Sequence, residues 1–215
     1  MDTDYISLNS AQVSAEHDPF VIDRYRQFAR HLRMASGSIL DVGCSTGVGG
    51  RAMKMALPAL SLIGLDCLQH RLNKLPRDVY SGAICNYSTK IDFADGHFDA
   101  IVAGEFIQNL TYGDGILTLG EFQRVLRAGG RLLMTTPYPD YIKLKFGGRP
   151  IVGGAHVSAH YPKQLAVMMS DAGFTEIGWC GSGRMSGWLG EKFPLMSAYG
   201  SFLIWGTAGK DALAH

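Results

Sequence analysis

From Ser38 to Gly50 the chain reads Ser38-Ile39-Leu40-Asp41-Val42-Gly43-Cys44-Ser45-Thr46-Gly47-Val48-Gly49-Gly50. An apolar run that stops at an acid, passes through small residues and glycines and then resumes predicts a buried strand turning through a loop into a helix. Glycines let a ligand approach bare backbone in such a turn, and the opening of the helix offers main-chain N–H groups. In doubly wound α/β domains an adenosine cofactor lies at this turn. A second acid is then expected about 20 residues on, at the end of the next strand, to accept hydrogen bonds from ribose hydroxyls. Leu60-Ser61-Leu62-Ile63-Gly64-Leu65-Asp66 supplies one. A solvated strand end or helix cap is the other reading of Asp66; the loop before it favours the ribose.

The rest of the chain alternates in the same way. Strands are expected at 38–42, 60–66, 81–85, 98–104 and 130–136, and helices at 47–57, 68–75 and 115–127. Pro19 stands at a helix start, and Phe20, Tyr25, Phe28 and Leu32 follow at near-helical spacing, so residues 18–35 are read as an amphipathic helix covering the sheet. Residues 1–17 are polar and aperiodic and are read as a mobile arm. After Pro137 the sequence turns irregular; Pro162 restarts a helix that stops at Gly173, and strand-like runs at 175–180 and 201–207 bring the total to seven strands. The expected fold is one α/β domain over residues 1–215, with a Rossmann-like, doubly wound, mostly parallel seven-stranded sheet and helices on both faces.

A dinucleotide-binding loop spaces its glycines G-x-G-x-x-G. Here Gly43 and Gly47 bracket Ser45, and Asp41 ends the strand. The pattern resembles the first motif of the class I S-adenosylmethionine-dependent methyltransferases, D-x-G-x-G-x-G, with Ser45 in place of the middle glycine. A small residue is tolerable there if its φ is negative. Further blocks carry the resemblance on: Asp92-Phe93-Ala94-Asp95-Gly96-His97-Phe98-Asp99 leading into an apolar fourth strand, Glu105-Phe106-Ile107-Gln108-Asn109-Leu110 at the place of E-x-x-E-H-L, and Phe122 to Pro137 as helix, Gly-Gly turn and fifth strand. His156-Val157, Tyr161-Pro162 and Ala172-Gly173-Phe174 are similar to the late H-V, Y-x-P and A-G-F segments of relatives that include quinone and surface-glycan methyltransferases. The likeness covers residues 38–180. It implies S-adenosylmethionine as cofactor, S-adenosylhomocysteine as product, and a final strand antiparallel to its neighbours.

On that resemblance Asp41 and the loop Gly43, Cys44, Ser45, Thr46 and Gly47 serve the methionine end of the cofactor, Asp66 with Cys67 beside it serves the ribose, and Asn86 and Tyr87 meet the adenine edge after the third strand. Gly104 and Glu105 end the fourth strand beside the cofactor. Glu105 contacts cofactor or acceptor, or else complements a helix dipole. Asn109 replaces a histidine of the relatives; an amide takes no proton but can orient a substrate. His156 and His160 are therefore the candidate bases, the alternative for each being a structural hydrogen bond. Tyr138 and Tyr161, with Tyr141, are candidates for an acceptor pocket or for plain packing. Lys143, Lys145 and Arg149 meet an anionic acceptor or solvent. Met185 and Trp188, in the Gly-rich stretch 181–198, form an apolar substrate lid or a homodimer contact. Segments 138–161 and 181–198 are the candidate acceptor-site segments.

A formal charge of +1 argues against a general nucleic-acid or membrane-surface binder. No apolar run is long enough to span a bilayer, and the polar start is not a signal peptide, so a cytoplasmic location is expected. Cys44, Cys67, Cys85 and Cys180 are scattered and read as reduced thiols, with no cysteine or histidine cluster at metal spacing. The resulting expectation is a methyltransferase moving a methyl group to a small molecule or a glycan or lipid precursor, at oxygen. A non-catalytic cofactor-binding subunit that works with a partner enzyme is the alternative.

Overall fold

The computed structural model describes residues 4–11, 18–32, 34–147 and 152–209. Seven strands form one sheet: β1 (Ser36–Val42), β2 (Ala59–Asp66), β3 (Tyr80–Cys85), β4 (Phe98–Gly104), β5 (Leu126–Pro137), β6 (Phe174–Ser182) and β7 (Ser201–Ala208). Their order is β3-β2-β1-β4-β5-β7-β6. The first five run parallel, and β7 lies antiparallel between β5 and β6. The chain winds outward from β1 to β3 and then crosses back to β4, so the order reverses between β1 and β4. That reversal opens a crevice at the carboxyl ends of the strands.

Side chains alternate across the sheet. Leu40, Val42, Ile101 and Met134 face α5 (Tyr112–Val125) and α7 (Pro162–Asp171), where Leu119, Phe122, Leu165 and Met169 complete one core layer. Ile39, Leu62, Val102 and Leu133 point to the other face, under Phe28 and Leu32 of α2 (Val21–Leu32) and Met53 of α3 (Val48–Ala56). The apolar stripe Val21, Tyr25, Phe28, Leu32 explains why α2 lies there.

Where the structure departs from the expected elements, the reasons are local. β5 begins at Leu126 rather than 130, because Gly129 takes φ +76° and lets the chain bulge before it rejoins the β4 ladder at Arg131. Within the stretch read as an arm, Tyr5–Ser10 form a short helix, α1, capped by Asp4, which accepts from the Ser7 backbone N–H at 3.0 Å. Six residues carry too little periodicity to announce a helix. The rest of that arm, and Arg149, lie outside the described residues. Before Pro76 runs a short helix, α4 (Gln69–Leu72); α6 (Ile142–Gly147) and α8 (Arg184–Leu189) fall in the two irregular segments. Among the described residues no helix is long and apolar enough to cross a membrane.

Candidate functional site

At the end of β1 the chain turns through Gly43 at φ +70°, where a Cβ would strike the Phe106 ring at 2.8 Å. The Gly43 and Cys44 N–H groups donate to the Leu65 carbonyl, and Gly47 closes the loop by donating to the Cys44 carbonyl at 2.9 Å. Ser45 sits at φ +51°, against the negative φ expected for it. A non-glycine residue in this region costs roughly 1–2 kcal/mol. The Asp66 carboxylate offsets part of that cost by accepting the Ser45 N–H at 3.0 Å, while its other oxygen takes the Leu68 N–H at 2.9 Å. Asp66 thus braces the first loop against the second from the carboxyl end of β2.

Above these loops lies a cavity of about 380 Å³, within the size range of small-ligand pockets. Gly43, Cys44, Ser45, Asp66, Cys67, Asn86, Tyr87, Gly104, Glu105, Asn109 and His156 all line it, bringing together most of the residues that the sequence singles out. The roof comes from elsewhere: Tyr5 and Asn9 of α1, and Asp18, Val21, Arg24 and Tyr25 at the head of α2. The Tyr5 hydroxyl donates to Asp114 and accepts the Thr111 N–H, and Arg71 donates to the Asn9 carbonyl at 2.7 Å, so α1 is tied down on two sides. None of these roof residues belongs to a glycine-loop pattern.

Other candidates stand outside the wall. Asp41 is fully buried beneath the loop, on the α2 face with Ile39, because the strand period turns it away from the crevice. Tyr25 donates to its Oδ1 at 2.6 Å and Tyr80 donates to its Oδ2. Burial pushes the Asp41 carboxyl up to about 7, the two tyrosine hydrogen bonds pulling the other way. Thr46 and Gly47 occupy the far side of the loop, where a Cβ on Gly47 would meet Pro76, Leu75 and Tyr80. His160 is buried, paired through Nε2 with Ser158 Oγ at 2.9 Å, and burial lowers its imidazole to about 4. Tyr138 and Tyr161 pack edge to face at 6.0 Å between ring centres. Segment 181–198 folds toward α2, where Glu191 meets Arg30 at 2.8 Å and His31 at 2.6 Å, and contributes nothing to the cavity wall.

Glu105 and His156 are fixed by backbone geometry. Glu105 takes φ +51° at the end of β4, and its N–H donates to both the carbonyl and the Oγ1 of Thr135 at 3.0 Å. Its carboxylate faces the Arg24 guanidinium, with Nε to Oε1 at 3.3 Å, and Arg24 Nη1 reaches Asp18 at 2.7 Å. Burial works against the Arg24 charge, but Glu105 and Asp18 outweigh it and raise its pKa. His156 follows a turn in which Gly153 and His156 exchange backbone hydrogen bonds, and the Val157 and Ser158 N–H groups both donate to the Gln108 carbonyl. Burial raises the Cys44 thiol well above its usual value and Cys67 to about 11, which holds both as thiols.

These residues fit S-adenosylmethionine. Asp66 at the end of β2 and Asn86, whose Oδ1 accepts the Tyr87 N–H at 2.8 Å, both line the cavity, the two residues expected from the sequence at the ribose and adenine ends. Arg24 Nε and Glu105 Oε1 are buried without a hydrogen-bond partner among the described residues, polar atoms suited to a polar ligand. Carboxylates in the wall, at Asp18, Asp66 and Glu105, outnumber the guanidiniums of Arg24 and Arg71, which suits a sulfonium.

Comparison with known proteins agrees. The family described as methyltransferase domain matches residues 39–130. The chain is 27% identical to a ubiquinone/menaquinone biosynthesis C-methyltransferase of Desulfotalea psychrophila, over 72% of this chain and 73% of that protein. It is 29% identical to a malonyl-[acyl-carrier protein] O-methyltransferase of Laribacter hongkongensis, over 64% of this chain and half of that protein. In fold it is similar to a SAM-dependent methyltransferase from Archaeoglobus fulgidus, with a TM-score of 0.67 at 12% identity, covering 87% of this chain and 92% of that one. With the sheet order and the glycine loop already in place, the chain carries a methyltransferase domain and is similar to the class I S-adenosylmethionine-dependent methyltransferases.

Proposed function

We propose that the chain methylates an oxygen of a small molecule or of a glycan or lipid precursor, in the cytoplasm, with His156 as general base. When bound, S-adenosylmethionine supplies a methyl group already activated by its sulfonium, so the protein has to align the acceptor and remove a proton. One observation carries the reading: among the histidines of the described residues, His156 lines the cavity, on a turn fixed to Gln108. Gln108 and Asn109 stand in the same wall, Asn109 Nδ2 lying 3.4 Å from the Glu105 carbonyl, and serve to orient the acceptor. Glu105 is engaged with Arg24 and acts as a fixed charge. The relatives named above methylate carbon in one case and oxygen in the other, so the choice of oxygen rests on the base.

A panel of hydroxylated, aminated and carbon-acid acceptors, followed by S-adenosylhomocysteine release, tests this. A hit whose new methyl resonance lies on oxygen, and whose turnover falls in His156→Ala while cofactor affinity holds, supports it. Methylation at carbon or nitrogen, or unchanged turnover in His156→Ala, refutes it. Cofactor binding with turnover that appears only when a partner enzyme is added points instead to the cofactor-binding subunit. Trp188, 82% exposed on α8, is the surface to examine for a second copy by sedimentation.

A further inference from the structure

We propose that His31, Cys180 and Glu191 form a zinc site that ties the covering helix α2 to the edge strand β6. None of the three lines the cavity, so the site stands apart from methyl transfer. Among the described residues they bring an imidazole nitrogen, a thiol sulfur and a carboxylate oxygen within 4.8 Å of one another. Glu191 Oε2 is 2.6 Å from His31 Nε2 and 3.6 Å from Cys180 Sγ. Tetrahedral zinc with ordinary bond lengths holds a carboxylate oxygen about 3.6 Å from a sulfur and about 3.4 Å from a nitrogen. The sulfur already stands at that distance, and a small turn of the carboxylate opens the other by about 0.8 Å.

Neighbouring groups hold the three donors in place. Gln27, one turn before His31 on α2, donates to the Gly181 carbonyl at 3.0 Å and accepts from Ser182 Oγ at 2.7 Å, which locks the helix against β6. Its amide nitrogen also lies 3.7 Å from Cys180 Sγ, placed to support a thiolate. The Gly181 N–H donates to the Glu191 carbonyl at 2.9 Å and so fixes one ligand's backbone to the neighbour of another. Trp205 packs on the His31 ring at 5.0 Å between centres, and Arg30 takes Glu191 Oε1 at 2.8 Å, which leaves Oε2 for the ion. Such outer partners orient the ligands of metal sites. A clip between α2 and segment 181–198 needs only Glu191 with Arg30 and His31; the buried Cys180 thiol, aimed at the same oxygen, is the further donor. Sulfur, nitrogen and oxygen together suit zinc, whereas magnesium and calcium take oxygen ligands. On binding, Cys180 gives its proton to solvent and His31 enters as the neutral imidazole with its proton on Nδ1. Thiolate and carboxylate then balance the charge of the ion, and the fourth position is left to water.

Zinc titrated into the metal-free full chain against a chromophoric chelator tests the site, with cobalt as its spectroscopic substitute. The wild type is expected to take up one zinc per chain. With cobalt it should show a thiolate-to-metal absorption in the near ultraviolet and the intense visible bands of tetrahedral coordination. Cys180→Ser should abolish the near-ultraviolet band and weaken zinc by more than about 100-fold, and Gln27→Ala should weaken it by about 10- to 100-fold, as for an outer partner. Cys85→Ser, at the exposed cysteine, should leave zinc affinity within about two-fold. Zinc should also raise the thermal midpoint of the wild type and leave that of Cys180→Ser in place, since an ion held by the folded chain stabilises it. No stoichiometric zinc in the wild type, or a cobalt spectrum without the thiolate band, overturns the proposal, and this arm needs no variant. Zinc affinity that holds in Cys180→Ser, or that falls in Cys85→Ser instead, overturns it too, because the ion then sits elsewhere on the chain.

Discussion

Tyr25 crosses from α2 to donate a 2.6 Å hydrogen bond to Asp41, an acid one residue before the end of its strand, fully buried and outside the cavity. Tyr80, at the start of β3, donates to the other oxygen. Both rings fit because the first turn of α3 is Val48-Gly49-Gly50: a Cβ on Gly49 would lie 2.3 Å from the Tyr25 ring, and one on Gly50 would lie 2.0 Å from the Tyr80 hydroxyl. The same Tyr25 ring lines the cavity. Asp41 therefore acts on the site from below, by fixing a wall residue and the glycine helix together.

The first prediction follows from that burial. The Asp41 carboxyl, ordinarily at 3.8, is held up to about 7, and the imidazole of His160, ordinarily at 6.5, is held down to about 4. Between pH 4 and 7 folded Asp41 keeps a proton that the unfolded chain has released, so its contribution to stability falls as pH rises. His160 does the reverse: between pH 6.5 and 4 the unfolded chain takes up a proton that the folded state refuses. Each slope is about 1.4 kcal/mol per pH unit, and from pH 4.5 to 6.5 they oppose. Urea denaturation of Asp41→Asn is expected to uncover a loss of stability on acidification through that window. His160→Gln should uncover the opposite loss as pH rises toward 7. Parallel curves for wild type and both variants would reject the burial argument.

Gly50→Ala tests the tyrosine clamp by sign. In an ordinary helix interior this change stabilises by about 1 kcal/mol. Here the added methyl meets a hydroxyl pinned to Asp41, and overpacking costs about 1–3 kcal/mol. A net loss in denaturant midpoint is expected, with weaker S-adenosylhomocysteine binding as Tyr80 and the loop shift. A gain in stability would show that Tyr80 moves aside freely.

Much of this was legible in the sequence because the signals were local. The strand, the glycine loop and Asp66 fall within one βαβ unit, whereas the crevice between β1 and β4 follows from the strand order of the whole sheet. Tyr25 was readable as a core position of α2, since its spacing marks it, but nothing within the helix says that its hydroxyl lands on Asp41. The sequence did carry a trace of that contact: two consecutive glycines inside a helix, where propensity disfavours them, mark a close approach by something large. Arg24 left no such trace, because Glu105 joins it only when α2 lies over β4, and its local partner Asp18 marks no site. Ser45 departs from expectation for a physical reason as well: the brace from Asp66 holds it at a positive φ where a glycine would serve.

That brace makes Asp66 and Ser45 a useful pair. Asp66→Ala is expected to weaken S-adenosylhomocysteine binding by about 1–3 kcal/mol, through lost ribose hydrogen bonds and a loosened loop. Ser45→Gly keeps the backbone conformation and relieves about 1 kcal/mol of strain, so affinity should hold while thermal stability rises slightly. Unchanged affinity in Asp66→Ala would remove the ribose assignment. A marked loss in Ser45→Gly would mean that the buried Ser45 hydroxyl itself contacts the ligand.

Two histidines close together in sequence should behave differently. His156 stands in the cavity wall, whereas His160 is buried behind it against Tyr112, at 5.0 Å between ring centres, with Ser158 on Nε2 and no hydrogen-bond partner at Nδ1 among the described residues. In a spectrum with labelled histidines, the His160 ring is expected to stay neutral throughout pH 5–8 and to be insensitive to S-adenosylhomocysteine, since burial keeps it near 4. The His156 ring should shift when cofactor and acceptor bind. His160→Gln should then lower stability and leave turnover per folded molecule nearly intact, while His156→Ala lowers turnover by about 100-fold or more, the usual contribution of a positioned base. If His160 titrates near neutrality or responds to ligand, the two roles are reversed, and the base lies behind the wall rather than in it.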